Sequence, residues 1–131
     1  MVLSETSSRA AFIMAVTSLE VAVKQFISIK KPDCVWLIEN IPSPPIEKII
    51  GDYFPLIDPT YQLNDNTIKS IKNIVQARNA VIHRGVFTLD SQGLMNHIQT
   101  IGDLLHTIDT FLGYNWSGKY IKEPRTSLST D

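Results

Sequence analysis

Three residues near the middle of the sequence carry side chains that could act on a phosphodiester. Arg78 and Asn79 are adjacent, and His83 follows in the same stretch, ARNAVIHRG. An arginine presents a planar fork of donors that matches a phosphate group. A histidine titrates near neutral pH and can give or take a proton. The pattern therefore indicates chemistry on a phosphate, and each residue also has a structural interpretation.

This stretch forms the C-terminal end of a predicted amphipathic helix. At about 100° per residue, one broad face collects the apolar positions. They are Ile68, Ile71, Ile74, Val75, Val81 and Ile82. Arg78 falls inside that face, where an unpaired guanidinium would be costly to bury. Asn79 and His83 lie one turn apart on the polar flank, and Gly85 is predicted to cap the C-terminus.

Three interpretations of Arg78 follow from its place among core positions. It could pair with a carboxylate of another helix, for which Glu20 is the nearest candidate by pattern. It could lie at a subunit interface, where arginine is enriched, or face a phosphate. The role of His83 is equally open, because the helix dipole also favours an exposed histidine at a helix C-terminus. Arg78 and His83 project about 140° apart on an ideal helix, so one chain does not direct both at one small atom.

Two further long helices are predicted from the apolar spacing. The first runs from Ser4 to near Pro32, and the last runs from about Asp90 to Leu112. Apolar residues recur at steps of three and four in both. In the first helix they are Phe12, Val16, Leu19, Val23 and Phe26.

The segment between the first helix and the ARNAVIHRG helix is broken by prolines. Only short helices fit there, around residues 34–39 and 45–54. Asn64 or Asp65 is then predicted to cap the next helix. Three long helices and a broken, Pro-rich connecting segment predict an all-α fold, arranged as an up-and-down four-helix bundle.

Composition limits the classes of function. The 131 residues suit one domain, predicted over residues 1–117, followed by a polar tail over 118–131. Twelve basic and thirteen acidic residues give no overall field for nucleic acid, so any RNA contact must be local. The single cysteine, Cys34, excludes an internal disulfide, and no ligand cluster indicates a metal or cofactor. The absence of a basic leader and of a spanning apolar run predicts a cytoplasmic protein without a membrane.

The residues Arg78 to His83 resemble the motif of the HEPN family. That motif is an arginine, a polar residue that is often asparagine, aspartate or histidine, a short spacer and a histidine. The family is an all-α bundle with the motif late in its third main helix. The stretch SSRAAFIMAVTSLEVAVKQFI is similar to the first helix of these proteins, including an acidic residue at Glu20. The resemblance covers about residues 4–116.

The resemblance implies a homodimer that brings two motifs into one cleft. Many members are metal-independent endoribonucleases, often toxins or defence factors, and some act beside a small nucleotidyltransferase-like antitoxin. In that chemistry His83 would move the proton of the 2′-hydroxyl or of the leaving oxygen, and Arg78 would stabilise the phosphate charge. Asn79 would orient the imidazole or donate to the phosphate. Glu20 and Arg84 are supporting candidates, and Arg84 is equally well explained as a solvated cation at a helix end.

A second hypothesis belongs to a different class. The chain would be a non-catalytic dimeric helical module that binds a protein or a nucleotide, with Arg78 structural and His83 incidental. His97 and His106 are expected to be surface or packing histidines in the last helix. Trp36 and Trp116 are expected to seal an edge of the core, as tryptophans in such places usually do.

Overall fold

The fold is all-α over the residues that the computed structural model describes, which are 5–40 and 45–113. Helices make up most of these two ranges, and neither contains a strand. The prediction of an all-α fold is confirmed. The predicted tail over 118–131 and Trp116 lie outside the described residues.

The helices follow the order that the sequence predicts. They are α1 (Glu5–Lys30), α2 (Val35–Asn40), α3 (Ile46–Lys48), α4 (Phe54–Ile57), α5 (Asp65–Arg84) and α6 (Ser91–Phe111). A π-helical stretch, Ile49–Tyr53, joins α3 to α4, and single 3-10 turns lie at Pro32–Cys34 and Pro59–Tyr61. The three long helices are therefore α1, α5 and α6, with short helical pieces between the first two. The second piece continues to Ile57, three residues beyond its predicted end.

Hydrogen bonds satisfy backbone N–H and carbonyl groups at both ends of α5, the helix that carries the motif. Asn64 accepts a hydrogen bond from the backbone N–H of Thr67 at 2.8 Å, so asparagine caps α5. Gly85 has a φ of +66° and ends α5 as predicted. Its N–H donates to the carbonyl of Val81 at 3.1 Å, and the next N–H donates to Ala80 at 3.0 Å. The end of α5 is thereby fixed two residues after His83.

The core lies between α1 and the two later long helices. Helix α1 contacts both α5 and α6, and α3 packs against α5. The five predicted core residues of α1 are all buried. The buried residues of the two later helices are Ile71, Ile74, Leu94, Ile101, Leu104 and Ile108. At one end an aromatic cluster closes the core, with the rings of Phe26 and Phe54 only 4.3 Å apart.

Two predicted core positions are wrong. Ile82 is 52% exposed although it lies within about 20° of fully buried Ile71 around α5, because it lies at the far end of the helix from the connecting segment. That segment approaches α5 near Ile68, where a Cβ added at Gly51 would lie 3.6 Å from the side chain of Ile68. Trp36 is 69% exposed. It lies two residues before Ile38, the buried residue of α2, and so points to the opposite side of that short helix.

One helix in the described ranges is long and apolar enough to cross a membrane by length and composition. It is the segment Thr6–Lys30, which has a mean hydropathy of 1.5 over its most apolar window. The core helix of a globular domain has the same composition. In this fold Phe12, Val16 and Leu19 of that segment are buried against the other helices.

Candidate functional site

The C-terminal half of α5 by itself lines a shallow groove on the surface. Gln76, Asn79, Ala80, His83 and Arg84 line it, and its volume is about 440 Å³. These positions recur by three and four along the helix, so their side chains rise from one side. Asn79, His83 and Arg84 are exposed. The groove thus presents an amide, an imidazole and a guanidinium to solvent.

Arg78 does not line this groove. Its Nη2 atom lies 3.1 Å from Oε2 of Glu20 on α1, and the two side chains are 15% and 18% exposed. Of the three interpretations of Arg78 that the sequence leaves open, this contact matches the pairing with Glu20. Nε of Arg78 and Oε2 of Glu20 are both shielded from water and lack a hydrogen bond of good geometry. The contact is therefore a charge–charge contact whose hydrogen-bonding capacity is incompletely used.

The structure divides the five sequence-predicted site residues into two groups. Asn79, His83 and Arg84 share the groove, whereas Arg78 and Glu20 meet at the junction of α5 and α1. Five residues of α-helix separate Arg78 from His83, a rise of about 7.5 Å and a rotation of about 140°. Ile82 lies between the two directions and is exposed. One chain therefore does not bring the guanidinium of Arg78 and the imidazole of His83 to one point.

The other histidines of the described residues lie in α6, away from the groove. The ring of His97 lies 5.9 Å from the ring of Phe12, and burial lowers the pKa of His97. This histidine is a packing residue, as predicted. His106 is half-buried, and neither histidine lines the groove of His83.

Gln76 and Ala80 line the groove although the sequence does not single them out as site residues. Gln76 belongs to the polar flank of the helix, at the same spacing as Asn79 and His83, and that spacing was the available signal. Ala80 is small, and a small residue gives no chemical signal in a sequence. Within residues 5–40 and 45–113, no group of three or more histidine, cysteine, aspartate or glutamate side chains could hold a metal ion.

Comparison with known protein families, with curated proteins and with solved structures gives no match for this chain. The geometry of α5 and its partners on α1 is therefore the basis for assigning a function.

Proposed function

We propose that this chain is a metal-independent endoribonuclease of the HEPN type, which acts as a homodimer in the cytoplasm. The observation that carries the proposal is the sharing of one solvent-open groove by Asn79 and His83, with Arg78 next to Asn79 in the sequence and at the edge of the core. We also propose that its helices are arranged as an up-and-down four-helix bundle. In the cell the protein would act as a toxin or defence factor, with a nucleotidyltransferase-like antitoxin as a candidate partner.

The groove supplies the acid–base part of the reaction. The imidazole of His83 is exposed, so an RNA strand could reach it without rearrangement of the helix. In the cleavage, the 2′-oxygen attacks the phosphorus, its proton leaves, and the departing 5′-oxygen takes up a proton. His83 serves one of these two proton transfers. Asn79, one turn before it, orients the imidazole or donates to a phosphate oxygen.

Arg78 supplies positive charge for the transition state. A guanidinium has five N–H donors, and the contact with Glu20 comes from Nη2. The side chain is 15% exposed and its Nε is shielded from water, which leaves the terminal nitrogens as the donors for a phosphate at the edge of the cleft. Glu20 then holds the guanidinium in place while it stabilises the phosphate charge.

A second copy of the chain is needed because α5 directs Arg78 and His83 to different sides. The exposed side chain of Ile82 lies between them and favours an apolar contact with the same helix of a partner. Around a twofold axis near this residue, His83 of one copy approaches the motif arginine of the other. That arrangement assembles each site from two chains.

The ion pair also favours the second candidate, a non-catalytic helical module that binds a protein or a nucleotide. In this alternative Arg78 links α5 to α1 and has no contact with RNA. The groove at His83 would then bind without cleaving. The two functions differ in one measurable property, which is turnover of RNA.

The test is cleavage of RNA in EDTA by the wild type and by the variants His83→Ala and Arg78→Ala. The nuclease proposal expects each variant to lose about 10²-fold or more in rate, because an acid–base group and a charge-stabilising group each contribute at least that much. Products should carry 2′,3′-cyclic phosphate and 5′-hydroxyl ends. Far-UV circular dichroism checks that both variants keep their helices.

Lys69→Ala is the matched control, because Lys69 is an exposed cation of α5 that does not line the groove. It should cleave at the wild-type rate. Cleavage that persists unchanged in His83→Ala would identify a contaminating nuclease and contradict the proposal. An inactive wild type that binds RNA or nucleotide across acid and neutral pH would support the binding module.

A further inference from the structure

A second groove lies on the side of the molecule formed by α1, α2 and the end of α6. Its volume is about 630 Å³, within the range of roughly 300–1,000 Å³ that is typical of binding pockets. Apolar side chains of α1, of α2 and of the residue that follows α6 line it. They are Val21, Ile29, Ile38 and Leu112. Val21 and Ile29 are 48% and 54% exposed, so α1 leaves apolar surface open to solvent here.

The charges of this groove favour an occupant that carries positive charge. Glu39 and Asp109 line it together with one cation, Lys24. The excess of carboxylates would attract lysine or arginine side chains at the rim. An occupant that suits the groove therefore has large apolar side chains in its middle and cations beside them.

The chain that follows Gly113 has this composition. It begins YNWSGKYIKE, in which Tyr114, Trp116, Tyr120 and Ile121 are the large apolar residues. Lys119 and Lys122 are interleaved with them. Leu112 itself lines the groove, so this segment starts at the groove wall. Trp116 follows four residues later and can reach about 13 Å from Leu112 when the chain is extended.

We propose that residues 114–122 of the same chain fill the groove between α1, α2 and α6. Trp116 packs on Val21 and Ile29, and the two lysines lie near Glu39 and Asp109. A short covalent connection keeps the segment at high local concentration beside the groove, which favours it over a separate peptide. In that position the segment would cover apolar surface that Val21 and Ile29 expose. This inference is independent of any nuclease activity.

Fluorescence of Trp116 tests the proposal in the full chain. The sequence has two tryptophans, so the variant Trp36→Phe leaves Trp116 as the single reporter. Trp36 is exposed, and its replacement should leave the fold intact. The proposal expects blue-shifted emission and at least twofold slower quenching by acrylamide than in urea. Adding Ile29→Glu should shift the emission to the red and remove most of that protection.

Met14→Glu is the control for the second substitution, because Met14 is an exposed apolar residue of α1 outside the groove. It should leave the emission of Trp116 unchanged. Emission and quenching equal to those in urea would overturn the proposal. Protection that disappears on dilution would also overturn it, because the groove would then be filled by the segment of a second copy. Protection that Ile29→Glu does not alter would show that Trp116 packs elsewhere.

Discussion

The Nη2 atom of Arg78 lies 3.1 Å from Oε2 of Glu20 and links α5 to α1 at the edge of an apolar core. None of the charged side chains in the described ranges is fully buried, and this pair is mostly shielded from water. The cation that the proposed chemistry needs is therefore also a structural contact. A loss of activity in Arg78→Ala consequently needs a measurement of stability beside it.

A double-mutant cycle on this pair measures its structural contribution. Glu20→Gln removes the negative charge next to a shielded guanidinium and should lower the free energy of unfolding by about 1–2 kcal/mol. Arg78→Gln should have a similar effect. The double variant should be less destabilised than the sum, with a coupling energy of about 1 kcal/mol. Urea unfolding followed by circular dichroism gives all four values.

Additive effects of the two single variants, within about 0.5 kcal/mol, would show that the two charges do not interact in solution. Activity provides a second comparison. Glu20→Gln keeps the guanidinium, so under the nuclease proposal it should cleave faster than Arg78→Ala at equal folded fraction. Equal loss in both variants would indicate that folding, rather than charge on the phosphate, limits cleavage.

The same substitution at two glycines should change stability in opposite directions. Gly85 has a φ of +66°, a conformation that costs an L-residue about 1 kcal/mol or more. Gly85→Ala should therefore destabilise the protein by about 1 kcal/mol. Gly102 lies inside α6, and a Cβ added there meets no atom within 4 Å. Gly102→Ala should stabilise by about 0.5–1 kcal/mol, because alanine is the better helix former.

Thermal or urea unfolding of the two glycine variants tests whether their stabilities change in these opposite directions. Each variant is the control for the other, since both add one methyl group. A Gly85→Ala protein as stable as the wild type would mean that the end of α5 can adopt another conformation. The turn after His83 would then be less fixed than its two backbone hydrogen bonds indicate.

Much of this fold follows from the sequence, because a buried stripe with a period near 3.6 identifies a long helix. The core residues of α1 from Phe12 to Phe26 are examples. The end of α5 at Gly85 was predictable for a local reason, which is the left-handed conformation that glycine tolerates. The exposure of the Trp36 side chain was not predictable, because a six-residue helix has too few positions to define which side is buried.

The candidate site was predictable in part. Arg78 stands out because it interrupts an apolar face, and Glu20 is the acidic residue that pattern places opposite it. Periodicity does not show where the coverage of a helix stops along its axis. Ile82 belongs to the apolar face of α5 by angle but lies beyond the segment that covers Ile68. Its exposure depends on tertiary contacts that the helical pattern does not contain.

Exposed Ile82 should control assembly if two copies meet through the end of α5. Ile82→Glu places a charge at that surface and should turn a dimer into a monomer, while the free energy of unfolding of the monomer changes by less than about 0.5 kcal/mol. Sedimentation velocity measures the association state. Leu56→Glu is the matched control, since Leu56 is an exposed leucine of α4 far along the chain from the motif. Dissociation by both variants, or by neither, would contradict a dimer through Ile82.

His97 should make the stability of the protein depend on pH between acid and neutral. Burial beside the ring of Phe12 lowers its pKa from the ordinary value of 6.5. The unfolded chain then binds a proton at higher pH than the folded chain does. Stability is therefore fully present above about pH 6.5 and falls as the pH decreases towards the folded pKa.

The melting temperature of the wild type should accordingly be higher at about pH 7.5 than at about pH 5.5. His97→Gln removes the titrating group and should reduce this difference, whereas His83→Gln, at an exposed position, should retain it. Thermal unfolding of the three proteins at both pH values measures the effect. If His97→Gln kept the full difference, another group would be responsible for it. Since His97 and His83 lie on different helices, the pH dependence of folding and that of any RNA cleavage should then be separable by single substitutions.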